Sequence, residues 1–98
     1  MILVRDVFQL KIGKAKEAKA LWKEAAELAR KYDMPAGRAM TDPTGPYYTF
    51  VWESTYKNLA DWEVSTNDPR GAEEWGKWYQ RFAPLIDGGH REMFTLVE

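Results

Sequence analysis

The chain has 98 residues, 45% of them hydrophobic and 30% charged, a size and balance that suit one globular domain over residues 1–98. Fourteen basic against fifteen acidic residues leave a formal charge of −1, so no net field draws nucleic acid or an anionic membrane. The absence of cysteine excludes a disulfide framework and any thiolate metal site. No apolar run approaches the roughly 20 residues of a membrane span, and no basic flank leads into a long apolar stretch at the N-terminus, so a cytoplasmic location is expected. Five tryptophans and five tyrosines are the unusual feature, because aromatic surface on that scale supports a core, an interface or a ligand cleft.

Ile2 to Lys11 reads as a strand, with Ile2, Val4, Phe8 and Leu10 alternating and Asp6 interrupting them. Ile12-Gly13 ends it. Lys14 to Tyr32 is a helix: Ala18, Leu21, Trp22, Ala25, Leu28, Ala29 and Tyr32 recur on a single face. Asp33-Met34-Pro35 stops it, since proline disfavours helical geometry in the residue before it. Gly37 to Thr41 is a weak strand suited to a sheet edge, and Asp42 to Pro46 is a turn. Tyr47 to Ser54 (YYTFVWES) is the most strongly marked strand, rich in aromatic and β-branched residues.

Tyr56 to Thr66 is a shorter helix with Leu59 and Trp62 on one face. Asp68 as cap and Pro69 in the first turn restart a helix, along which Trp75, Trp78, Tyr79, Phe82, Leu85 and Ile86 recur, with Pro84 ending or bending it. Asp87-Gly88-Gly89 reads as a turn and His90 to Val97 as the last strand. The order strand, helix, strand, strand, helix, strand is the ferredoxin-like βαββαβ arrangement of the α+β class: a four-stranded antiparallel sheet with helices on one face.

Period-2 alternation puts Tyr48, Phe50 and Trp52 with Val4, Phe8 and Leu10 under the helices. The other face carries Leu3, Arg5, Val7, Tyr47, Thr49, Val51 and Glu53. A largely apolar surface of about 400 Å² is near the upper limit for an exposed patch on a monomer. A homodimer that packs sheet on sheet is therefore expected, with Arg5 and Glu53 near the interface.

Further residues carry a resemblance. Leu10-Lys11-Ile12-Gly13-Lys14, Val51-Trp52-Glu53-Ser54, Leu59-Ala60-Asp61-Trp62, Asp68-Pro69, the helix from Trp75 to Phe82 and Gly89-His90-Arg91-Glu92 together resemble the NIPSNAP-like branch of the dimeric α/β-barrel superfamily. At the first of these, Ile12 stands where that family often has proline. The resemblance implies a homodimer with facing sheets and, in each subunit, a cleft between sheet and helices. The superfamily includes cofactor-free monooxygenases, haem-degrading enzymes and dehydratases, and shares no one set of catalytic residues.

Within such a cleft the candidate catalytic residues are Asp6, Tyr79 and His90. Asp6 lies mid-strand on the helix-facing side, where a carboxylate needs a partner or a raised pKa; Arg91, Arg38 or a backbone turn could supply the partner. Tyr79 offers a hydroxyl donor. His90, the only histidine, could be a base or a haem ligand, or a surface residue beside the glycines. No cofactor is expected, haem being the one alternative, and no metal-ligand spacing occurs. Trp22, Phe50, Trp62, Trp75 and Trp78 are the candidate ligand-binding residues, forming walls for an aromatic or other apolar small molecule. Helical spacing equally suits core packing. The readings are thus a monooxygenase-like enzyme, a non-catalytic ligand-binding or accessory dimer, or aromatics that only build core and interface.

Overall fold

The computed structural model describes residues 1–97. The elements are β1 (Ile2–Leu10), α1 (Ala15–Lys31), β2 (Arg38–Thr41), β3 (Thr49–Tyr56), α2 (Leu59–Thr66), α3 (Ala72–Phe82), a 3₁₀ turn (Ala83–Leu85) and β4 (Ile86–Thr95). The strands form one antiparallel sheet in the order β2-β3-β1-β4. This is the ferredoxin-like α+β arrangement that the pattern of elements predicts, with β1 and β3 central.

All three helices lie on the face that carries Val4, Phe50 and Trp52. Ala18, Leu21 and Ala25 of α1 and Trp78 and Phe82 of α3 close over Leu10 and Phe50. Rings do most of the filling: Trp78 stacks on Phe82 at 4.9 Å, and Phe82 meets Phe8 edge-on at 5.1 Å. The buried Trp78 indole N–H donates to the Leu21 carbonyl at 2.7 Å, so its burial leaves no donor unpaired. Outside the core, Arg81 holds Glu24 at 2.7 Å and Lys31 holds Glu74 at 2.8 Å, tying α3 to α1.

Several boundaries differ from the sequence reading. α1 ends before Pro35 acts. Asp33 adopts φ 53°, and the Met34 and Asp33 amides donate to the Ala29 and Arg30 carbonyls at 2.7 and 3.2 Å. These are the paired bonds of a left-handed helix cap. β3 starts at Thr49, not Tyr47, because Tyr48 has φ 61° and Asp42 accepts the Thr49 amide at 2.9 Å, which extends the turn. Tyr56 ends β3 and does not open α2, whose cap is Asn58 accepting from the Asp61 amide at 2.9 Å. Asp68 does not cap α3. It binds Arg70, while Gly71 at φ 69° begins the helix. Gly71 must be glycine there, since a Cβ would lie 2.4 Å from the Tyr32 ring.

The largest correction is at Asp87-Gly88-Gly89. These residues form no turn but the first part of β4, with Gly88 opposite Gln9 and Gly89 opposite Phe8. The ladder shifts register between Gln9 and Leu10. A Cβ on Gly89 would approach the Val7 carbonyl oxygen to 2.6 Å, so glycine here serves close strand contact, as it often does beside a bulge.

Among the described residues no helix covers the sheet's second face. Leu3, Val7 and Val51 are half-buried there, and Phe94 is 46% exposed. At its centre Glu53 is only 4% exposed. Arg5 Nε reaches it at 2.6 Å, and Arg38 Nε and a terminal nitrogen at 2.9 and 2.7 Å. Arg5 extends on to Glu92 at 3.3 Å, and Glu92 meets His90 at 3.1 Å. Hydrogen bonds from Arg38 first, then Arg5, hold the Glu53 carboxyl below its ordinary 4.5 against the opposing effect of burial. A depressed folded-state pKa stabilises the fold fully above the ordinary value and loses that contribution as pH falls through the depressed one. Glu53→Gln should therefore lower the urea midpoint at pH 7, and its gap to the parent should narrow below pH 4.5. A gap that stays constant from pH 7 to pH 3 would remove the ion-pair assignment.

Candidate ligand site

The helix layer does not cover the sheet evenly. Toward the Val4 end, a cavity of about 340 Å³ opens between the sheet and α2 and α3. Its floor is Val4 and Asp6 from β1, Trp52, Ser54 and Tyr56 from β3, and Arg91 from β4. Trp62, Ser65 and Thr66 of α2 and Ala72 and Trp75 of α3 form the walls, with Asp68 between them. The cap that ends α1 delivers Met34 and Pro35 to the rim.

Strand register explains the polar floor. Asp6 stands directly opposite Arg91 across the β1–β4 ladder and opposite Trp52 across β1–β3. Arg91 Nε donates to the Asp6 carboxylate at 2.6 Å, so of the partners weighed from sequence Arg91 is the one used. The Arg91 guanidinium also lies 5.3 Å from the centre of the Trp62 ring, within the range of a cation–π contact. Only its Nε is committed to Asp6, which leaves the terminal N–H groups of the fork for another acceptor. Trp52 is itself fixed, its indole N–H donating to the Ala36 carbonyl at 3.0 Å. Trp75 and Trp52 each meet Trp78 edge-on at 5.8 Å.

Of the residues singled out by sequence, the structure brings Asp6, Trp62 and Trp75 together around this cavity. Trp78 and Phe50 lie behind it in the core, 8% and 1% exposed. Tyr79 is 58% exposed on α3 and does not line the cavity. Trp22 borders a separate recess with Lys19, Lys23 and Met40. His90 belongs to the opposite face of the sheet, paired with Val7 in register and bonded to Glu92, so it brings no haem ligand to the cavity. Sequence reasoning passed over Met34, Trp52, Ser54, Tyr56, Ser65, Thr66 and Asp68 as lining residues; Trp52, Ser54 and Tyr56 could have been found by extending the parity of Phe50. Among the described residues no group of three His, Cys, Asp or Glu side chains is arranged to hold a metal ion, and no helix is long and apolar enough to cross a membrane.

The Asp6 and Arg91 side chains are 28% and 49% exposed, and pairs open to water contribute little to stability. Asp6→Asn and Arg91→Gln should each lower unfolding free energy by about 1 kcal/mol or less, measured by urea denaturation. A larger loss would make the pair chiefly structural.

No protein-family model matches the chain, and no curated protein matches it in sequence. Solved structures do match. A NIPSNAP domain protein from Burkholderia xenovorans superposes with a TM-score of 0.83 at 13% identity, covering 99% of this chain and 95% of that one. A NIPSNAP family protein from Agrobacterium tumefaciens gives 0.84 at 16%, covering 99% and 93%. A candidate antibiotic biosynthesis monooxygenase from Nitrosomonas europaea gives 0.75 at 14%, covering 100% of both. The fold of this chain is thus the ferredoxin-like fold of NIPSNAP domain proteins and of antibiotic biosynthesis monooxygenases.

Proposed function

We propose that the chain is a homodimeric domain that binds an aromatic or other apolar small molecule between its sheet and α2 and α3, and acts on it as a monooxygenase. The observation that carries this reading is the convergence of three indoles, Trp52, Trp62 and Trp75, with one carboxylate–guanidinium pair around a single cavity. Flat apolar walls with a few placed polar groups are the usual composition of a small-molecule site, and about 340 Å³ is at the small end of the range. That volume suits a molecule of two or three fused rings. A ring hydroxyl on the floor would donate to Asp6 or accept from the terminal N–H groups of Arg91. Oxygenation without a cofactor draws its electrons from the substrate, so an electron-rich hydroxylated ring is the class to try. The likeness in fold to the candidate antibiotic biosynthesis monooxygenase from Nitrosomonas europaea supports the oxygenation reading. A chain without cysteine needs no oxidising compartment, which fits a cytoplasmic setting.

The alternative is a non-catalytic ligand-binding or accessory dimer. The deep burial of Trp78 and Phe50 favours it, because part of the aromatic excess is thereby spent on packing. Titration with 1-naphthol, followed by tryptophan fluorescence, tests binding. Saturable quenching that weakens at least several-fold in Trp62→Ala is expected, and its absence would overturn the cleft reading. Oxygen uptake with 1,4-dihydroxynaphthalene then separates the two readings. Uptake above the protein-free rate that falls in Asp6→Asn, with one atom of labelled O2 found in a hydroxynaphthoquinone and the other released as water, supports oxygenation; uptake that yields only 1,4-naphthoquinone and hydrogen peroxide overturns it, and binding without uptake selects the alternative.

The dimer is supported by the uncovered sheet face. Leu3, Val7, Val51 and Phe94 form apolar surface around the charged centre made by Arg5, Arg38 and Glu53. A two-fold axis lets such a patch serve both partners, and the charges would set register more than add affinity. Sedimentation equilibrium should return twice the 11.4 kDa of one chain, and Val51→Asp should return the single chain. A parent protein that sediments as a monomer at tens of micromolar would rule the interface out.

A further inference from the structure

We infer that α2 is a movable lid over the cavity and that the contact of Trp62 with Arg91 is its latch. The inference rests on the ligand-cleft reading for its purpose, though not for its geometry.

α2 differs from the other two helices in how it is held. α1 buries Ala18, Leu21, Ala25, Ala26 and Ala29, and α3 buries Trp78 and Phe82. None of the residues of α2 is buried. Leu59 is 49% exposed and Val64 71%. Among the described residues, the hydrogen bonds of α2 stay within the helix and its flanking residues: Asn58 with the Asp61 and Trp62 amides, Asn67 with the Glu63 carbonyl. Asp61 and Glu63 take part in no ion pair among the described residues. What reaches from α2 to the sheet is Trp62, over an arginine that Asp6 holds at 2.6 Å.

The ends of the segment are fixed while its middle is not. Tyr56 is the last rung of the β1–β3 ladder, opposite Ile2. Gly71 is pressed against the Tyr32 ring, and Tyr32 in turn bonds Glu74 of α3. Between these two points no hydrogen bond or ion pair among the described residues ties α2 to the sheet, and the Trp62–Arg91 contact is its specific tie to β4. Elements with little buried surface open at low free energy, independently of the core. Opening α2 would widen the cavity on the side where Ser65, Thr66 and Trp62 now wall it. It would also uncover Arg91, so a ligand that accepts from the guanidinium competes with the latch and couples binding to lid position.

Hydrogen exchange read by mass spectrometry on the full chain tests this. Amides of Leu59–Thr66 should exchange faster than those of α1 and α3. Arg91→Gln, on a different element, should speed α2 by about three-fold, the factor expected of an exposed cation–π contact, and α3 by no more than that. Trp62→Ala should do the same. A short helix that merely frays would not respond to Arg91, so no change in α2 in either variant overturns the latch. Protection of α2 equal to that of α1 overturns the lid, even if 1-naphthol binds. Fast, Arg91-dependent exchange in a protein that fails to bind 1-naphthol upholds the lid and removes only the ligand reading.

Discussion

The stacked pair of Trp78 and Phe82 divides the helix side of the sheet into two unequal halves. On one side of it α1 comes down onto Leu10 and Phe50 with small residues, Ala18 and Ala25, that let the helix approach closely. On the other side the bulk of Trp52, Trp75 and Trp78, set edge to face at 5.8 Å, keeps α3 off the Val4 end of the sheet. A short α2 with no buried residue roofs the space beyond them. The core and the cavity are therefore consequences of one packing choice. Aromatic side chains large enough to brace a helix away from a sheet also leave a space that their own faces line.

The same choice explains what could be read from the sequence. Element order and the alternation on β1 and β3 follow from periodicities of 3.6 and 2, which are local and strong here. They sufficed for the fold and for assigning Asp6, Phe50 and Trp52 to the helix side. They could not separate Trp62 and Trp75 from Trp78, because all three lie on apolar helix faces and differ only in what the next layer does. Nor could they place His90. Its neighbours Gly88 and Gly89 have the composition of a turn, and reading them so detaches the last strand from its register with β1. Once Gly89 is seen to pair with Phe8, parity sends His90 to the open face and Arg91 to the cavity.

The open face is less uniform than its apolar residues suggest. A carboxylate 4% exposed in the middle of an otherwise half-buried surface would be costly alone. Two arginines, from β1 and β2, supply three hydrogen bonds to it. Arg38 belongs to the short edge strand, so Glu53 also ties β2 to the sheet centre where few side chains are available to do so. Part of the polarity of this face is thus internal to one chain. A partner that packed on it would meet a prepaired charge cluster, which costs less to desolvate than separate ions.

Both faces depend on how β4 is seated. Arg91 and Glu92 are adjacent in sequence and point to opposite sides, one to Asp6 in the cavity and the other to Arg5 on the open face. A slip of β4 by one residue would break both pairs, setting Asp6 opposite Glu92 and Arg5 opposite Met93 in one direction, or Asp6 opposite His90 and Arg5 opposite Arg91 in the other, because strand side chains alternate with period 2. The irregularity between Gln9 and Leu10 leaves Asp87 as the odd residue between Ile86, opposite Leu10, and Gly88, opposite Gln9. It sets the parity of everything after it. Gly89, which looks like part of a turn, therefore does a different job: it permits the close strand approach that pairs β4 with β1 in this register, which brings Arg91, among the described residues the one arginine lining the cavity, to its floor.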